Sequence, residues 1–199
     1  MGKEVLILSK THVGVGFCVG GIVLDNKQQV RLMCGLNEYQ PGNTPFEIGQ
    51  IWDIEFEEYP DIPPHIEDVY VRKKNYLRDI NNIVNFINTN YNIWRGSPDT
   101  IFDGYLGWTG NGSGYLNHKS NLPAQSVGFW IPDRDLKIEG EKYVYEYKRP
   151  YMRNKHFPYK GAEPMKVIIA GTLCRVSLGR WWSPDEREKR CYLQLSGQY

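Results

Sequence analysis

The chain has 199 residues, with 24 Lys and Arg against 23 Asp and Glu, so its formal net charge is +1. That length suffices for one large domain or two small ones with a sizeable core. The near balance of charge argues against a protein that grips duplex nucleic acid by bulk positive charge, and leaves room for a local basic groove.

Fourteen tyrosines, seven phenylalanines and six tryptophans favour half-buried strands over helices. Cys18, Cys34, Cys174 and Cys191 form no C-x-x-C, and each lies in or beside an apolar run, which predicts buried reduced thiols. At the start, "MGKEVLILSK" has a lysine and then only four apolar residues, too few for a signal sequence. No stretch approaches the ~18 apolar residues of a spanning helix. Position 6 lacks the Ser or Thr of a myristoylation signal. A cytoplasmic protein with no membrane partner is expected.

In chain order, "EVLILS" (4–9) reads as a buried strand running into a glycine-punctuated bend and Ile22–Leu24. "VRLMCG" (30–35) is a return strand, and "YQPGNTP" (39–45) a loop. "FEIGQIWDIEFEEY" (46–59) alternates, with Trp52, Ile54 and Phe56 inward and Asp53, Glu55 and Glu57 in a row on the solvent face. "EDVYVRKK" (67–74) is a further strand. The main helix is expected over 79–94, with Asp79 as N-cap and Ile80, Ile83, Val84, Ile87 and Tyr91 at 3.6-residue spacing. Arg95-Gly96-Ser97-Pro98 stops it, which divides the chain into 1–95 and 96–199.

The second half opens on "FDGYLGWTGNGSGYL" (102–116), followed by strands at 126–132, 142–151, 165–178 and 190–197; the charged turn "SPDEREK" joins the last two. Setting Gly49 on Gly171 aligns "IGQIWDIEF" with "AGTLCRVSL", so that Trp52, Ile54 and Phe56 match Cys174, Val176 and Leu178. The echo makes an internal duplication plausible.

The segment 147–160 carries Lys148, Arg149, Arg153, Lys155 and Lys160 with no acid, interleaved with Tyr147, Tyr151, Phe157 and Tyr159. Cations that neutralise phosphates beside rings that stack bases are the needs of a single-strand surface; the competing reading is a solvated, tyrosine-rich strand and loop. "GNGSGY" (110–115) invites comparison with a phosphate loop, but it lacks the Gly-Lys-Ser/Thr ending and no helix follows, which favours a plain hairpin or loop. Ser9, Lys10, Thr11 and His12 form a secondary candidate for phosphate or ribose, against a turn whose hydroxyls satisfy local backbone.

His12, His65, His118 and His156 are scattered, and no nucleophile, base or metal constellation emerges, so no enzyme, metal or cofactor is expected. In "GTLCRVSLGRWWSPDE", alternation continued past Leu178 sends Trp182 toward the core and leaves Trp181 outside beside Arg175, whereas a bulge at Gly179 would reset the register and exchange the two.

"SVGFWIPDRDL", "AGTLCRVSLGRWWSPDEREKRCYLQLSGQY" and "LILSKTHVGVGFCVGGI" together resemble the prokaryotic dual OB-containing domain family, nearly end to end. The residues read as a mostly β chain with one main helix, and the resemblance implies two small OB-fold-like barrels packed as one compact unit. It also implies a bacterial defence or conflict setting and binding of nucleic acid or nucleotides, with no catalytic residue to carry over. The expectation is a non-enzymatic module for single-stranded nucleic acid or a nucleotide-like ligand. Tyr147, Lys148, Arg149, Tyr151, Arg153, Lys155, Arg175, Arg180 and Trp181 would supply the surface. The alternative is a protein-interaction or scaffold module partnered by a product of the same operon, which the abundant tyrosine and tryptophan suit.

Overall fold

The apolar run Val5–Leu8 and the glycine-punctuated segment behind it pair as one long hairpin, the start of a closed barrel. The structure is a computed structural model and describes residues 2–35, 38–119, 121–149, 151–183 and 188–199. It forms two compact units, Met1–Tyr91 and Asn92–Tyr199.

The first unit contains β1 (Lys3–Val13), β2 (Gly16–Val23), β3 (Gln29–Met33), β4 (Gln50–Glu58) and β5 (Asp68–Asp79). They close in the order β1-β2-β3-β5-β4, with β3 and β5 parallel and the other pairs antiparallel. This is a five-stranded Greek-key barrel of the OB type. Val5, Ile7, Val19, Leu32, Trp52 and Ile54 fill its interior. On the opposite face Leu6 pairs with both Ile22 and Ile51, and this row is buried as well. Helix α1 (Ile83–Asn90) lies on this side: its Phe86 shares a cleft with Ile51, and Tyr91 Oη donates to the Lys27 carbonyl at 2.9 Å. The acidic row of β4 faces outward, where Glu57 pairs with Arg72 and Glu55 with Lys73.

The helix is shorter than its periodicity suggests. Asp79 ends β5 opposite Gln50, and the N-cap is Asn82, whose side chain accepts from the Asn85 N–H at 2.8 Å. After Tyr91 the chain is extended, because residues 93–96 are drawn into a sheet. The expected burial of all four thiols holds for Cys174 and Cys191 and fails at Cys18, which is half-buried, and at Cys34, which is exposed and donates to the Tyr39 carbonyl.

The second unit contains β6 (Ile93–Gly96), a 3-10 segment (Pro98–Gly104), β7 (Gly107–Trp108), β8 (Gly114–Asn117), β9 (Val127–Pro132), β10 (Leu136–Glu139), β11 (Lys142–Tyr145), β12 (Lys155–Pro158), β13 (Val167–Ile168), β14 (Cys174–Leu178) and β15 (Arg190–Gln198). β9 with β10 acts as one broken first strand, and β13 with β14 as one broken fourth strand. β10 then pairs β11, β11 pairs β12, Tyr159 bridges Leu195 of β15 in parallel, β15 pairs β14, and β14 and β13 return to β9 and β10. The strand order of the first barrel is thus repeated. β6 is added beside β9, and β7 and β8 beside β15.

The echo between the halves marks the same element in both barrels. Gly49 stands just before β4 at φ +92°, and Gly171 stands just before β14, at the break in its fourth strand, at φ +88°. Each N–H donates to the first strand, Gly49 to the Ile7 carbonyl and Gly171 to the Pro132 carbonyl. From those anchors the registers coincide: Trp52 faces Val5 and Ile54 faces Lys3, as Cys174 faces Trp130 and Val176 faces Gly128.

Candidate functional site

In the second barrel, β11 and β12 are the second and third strands, and the segment 146–154 that joins them holds most of the basic–aromatic stretch. Tyr143, Tyr145 and Phe157 point into the core. Tyr145 stands directly opposite Lys155, so the lysine shares that inward face at the mouth of the barrel. Its ammonium lies 4.2 Å from the centroid of Trp108 and 5.8 Å from that of Tyr147. Burial holds the Lys155 ammonium below its ordinary pKa, with Asp99 acting in the opposite sense.

Tyr147 packs edge-on against Tyr145 and donates its hydroxyl to Asp99 Oδ2 at 2.5 Å. Its pKa is pushed up to about 12, first by burial and then by that hydrogen bond. Trp108 is likewise committed: Gly114 lies directly against its ring and Lys155 stands over it. Tyr151, by contrast, is 96% exposed, and its ring is available for stacking.

Two shallow grooves adjoin here and share Gly110, Met152 and Arg153. One, of about 480 Å³, adds Lys142, Asn154 and His156; the other, of about 370 Å³, adds Trp108, Thr109, Tyr151 and Lys155. No carboxylate lines either groove among the described residues. Arg153 Nη1 donates to the Gly110 carbonyl at 2.8 Å, which ties the basic segment to the glycine-rich turn. Gly112 makes the close approach possible: it sits at φ +78°, and a Cβ there would lie 2.2 Å from the Asn154 carbonyl oxygen.

Of the residues expected at the surface, Tyr151, Arg153 and Lys155 gather here, with Tyr147 beneath them. Lys148 and Arg149 are exposed on the same connection, and Pro150 lies outside the described residues. Arg175 does not face outward. It is 4% exposed, and Nη1 donates to Ser196 Oγ, because both faces of β14 are covered. Arg180 is half-buried and does not line the grooves.

The tryptophan pair is reversed with respect to the alternation. Trp181 packs against the core with His118 at its edge, while Trp182 is 55% exposed and its backbone pairs with Arg190. The strand ends at Leu178, and the Gly179 N–H turns to the Tyr192 carbonyl, so the alternation stops before the tryptophans. Residues 184–187 of the following turn lie outside the described residues.

The secondary candidate splits in two. Ser9 and Thr11 are buried at 2% and 5% exposure, the latter bonded to the Cys18 carbonyl. Lys10 and His12 flank Phe17 at the mouth of the first barrel, where Lys10 is held by Glu47 at 2.6 Å. Trp108, Asp99 and the Thr109–Gly112 turn are the components the sequence did not single out for this groove. Only the glycine cluster carried a signal, and nothing in the sequence linked it to Arg153.

Neither a curated protein nor a solved structure matches the chain. The family model described as dual OB-containing domain matches residues 3–198. With one closed OB-type barrel, and the same strand order and register repeated in the second unit, the chain belongs to the dual OB-containing domain family.

Proposed function

We propose that this protein is a non-enzymatic binding module whose second barrel holds single-stranded nucleic acid, or a nucleotide-like ligand, across β11, β12 and the Thr109–Gly112 turn. The carrying observation is the pair of grooves lined by Lys142, Arg153, Lys155 and His156 and, among the described residues, by no carboxylate, with the exposed ring of Tyr151 at their rim. OB barrels bind oligonucleotides on the face of their second and third strands, where this groove lies. The cations supply a sequence-independent attraction to phosphates and the tyrosine a stacking surface. A defence setting in prokaryotes rests on the family resemblance alone.

A fluorescence anisotropy titration with labelled single-stranded oligonucleotides tests this reading. With three to four phosphates neutralised, the log–log salt slope is about −2 to −3, or roughly 30-fold weaker binding from 50 to 200 mM salt. Tyr151→Ala weakens binding by about 5- to 150-fold, the range for one stacked base. No binding at micromolar protein, or binding indifferent to salt, refutes the binding of single-stranded nucleic acid.

A second reading, a protein-interaction module, draws on the connection between β4 and β5. There Tyr59, Ile62 and Ile66 are 45%, 65% and 46% exposed among Pro60, Pro63 and Pro64. A stable complex with a partner protein and no nucleic-acid affinity favours that reading.

A further inference from the structure

Each barrel mouth holds a lysine above an aromatic ring, and the two lysines differ in their counter-charge. Lys10 Nζ, 4.8 Å from the Phe17 centroid, meets Glu47 Oε1 at 2.6 Å. Lys155 Nζ is 3.9 Å from Asp99 Oδ1, beyond hydrogen-bond distance. Asp99 is held away by its other oxygen, which accepts from Tyr147 Oη at 2.5 Å and Ser97 Oγ at 2.9 Å. Among the described residues no acceptor lies within hydrogen-bond distance of the Lys155 ammonium, although its side chain is only 13% exposed. An ammonium has three N–H donors, and leaving them unmade away from bulk water is costly.

The opposite wall of the same groove is the Thr109–Gly112 turn. The N–H groups of Thr109 and Gly112 are used inside it, bonded to the Ser113 and Thr109 carbonyls. Those of Gly110 and Asn111 make no hydrogen bond among the described residues. Arg153 reaches the turn through one of its five N–H donors, leaving the rest of the guanidinium at the groove. Two cations and the unused Gly110 N–H thus converge, with no lining carboxylate among the described residues, in a groove of about 370 Å³, and Asn111 lines the adjoining groove.

We propose that this groove is a phosphoryl subsite, in which Lys155, Arg153 and the turn hold a terminal phosphate group of the ligand. A terminal phosphate brings a charge of about −1.5 to −2 and three strong acceptor oxygens, enough for the three donors of the ammonium, whereas an internal phosphodiester offers fewer of both. Asp99 is the internal competitor for Lys155, restrained by Tyr147 and Ser97. The inference deepens the nucleic-acid reading by naming the group recognised, and its test separates the two.

One oligonucleotide sequence carrying a phosphate at the 5′ end, at the 3′ end or at neither end is titrated against the full chain, alongside a nucleoside 5′-monophosphate and inorganic phosphate. One terminally phosphorylated form binds about 10-fold or more tighter than the unphosphorylated strand, as charged hydrogen bonds predict. Lys155→Met removes that advantage and Lys155→Arg retains part of it. Asp99→Asn raises the affinity for inorganic phosphate more than Glu146→Gln does, which sets the baseline for losing an exposed carboxylate nearby.

Equal binding of all three strands overturns the subsite, while salt-dependent binding of the unphosphorylated strand still upholds the nucleic-acid reading. Lys155-dependent binding of phosphate or the mononucleotide, with no strand bound, upholds the subsite and refutes that reading. Should Lys155→Met fail to fold, an Asp99→Asn affinity no higher than that of Glu146→Gln overturns the subsite.

Discussion

Replacing Gly49 or Gly171 by alanine isolates the backbone requirement that the two barrels share. Gly49 precedes β4 and Gly171 precedes β14, both at φ near +90°, and both donate their N–H to the first strand, at 3.0 Å for Gly49 and 2.9 Å for Gly171. A Cβ at Gly171 would meet nothing within 4 Å, and one at Gly49 would meet only Ile83 Cδ1, at 4.0 Å. Neither alanine creates a clash, so the cost is the strain of an L-residue at that φ, about 1–3 kcal/mol at each site. Hydrogen exchange with peptide-level readout measures it separately in each barrel. Gly49→Ala lowers protection in β1–β5 and Gly171→Ala lowers it in β9–β15, with costs that agree within about 0.5 kcal/mol. A cost below that at either site, or one several-fold larger at one of them, refutes the claim that the glycines play one structural role.

Three further outcomes follow from burial and charge. Iodoacetamide at pH 8 labels Cys34 in the native protein, while Cys174 and Cys191 resist until denaturation, because burial pushes both thiols up to about 12; peptide mapping that finds Cys174 labelled as fast as Cys34 contradicts this. Burial also raises Tyr147 and Tyr159 from 10 to about 12, so the neutral phenols are favoured in the fold. Their contribution is fully present below pH 10 and is lost as pH rises toward 12, so the urea midpoint falls over that window; an unchanged midpoint refutes the linkage. In the first barrel, Arg31 Nη1 lies 3.1 Å from Asp68 Oδ1 with the two side chains 11% and 4% exposed. Asp68→Ala removes a carboxylate paired with a buried guanidinium and costs about 3–5 kcal/mol by urea denaturation, and a loss under about 1 kcal/mol contradicts that burial.

Much of the β framework was legible because barrel strands alternate between a core face and another face. Trp52, Ile54 and Phe56 read as one face, and the glycine alignment found the matching strand 122 positions on, between Gly49 and Gly171. Alternation does not report whether the second face is solvated, which is why Arg175 reads as outward and lies buried. The helix was overextended because Ile80 continues the apolar period, although pairing of Asp79 with Gln50 holds the chain in β5. β12 carried no recognisable pattern, since one of its inward residues is a lysine supported by Trp108, a contact far away in sequence. The basic–aromatic segment was visible as composition. Its division of labour was not: Tyr147 braces Asp99, Tyr151 is exposed, and Arg153 clasps Gly110, all through tertiary contacts.

The central claim is that the face of the second barrel around β11 and β12 binds single-stranded nucleic acid. Hydrogen exchange of the full chain with and without a saturating single-stranded oligonucleotide tests it most directly, because it both detects and locates binding. The account predicts new protection over residues 107–114 and 146–158, lost in parallel as salt rises, with β1–β5 unchanged. Protection confined to β1–β5, or no protection at a strand concentration that saturates anisotropy, contradicts it.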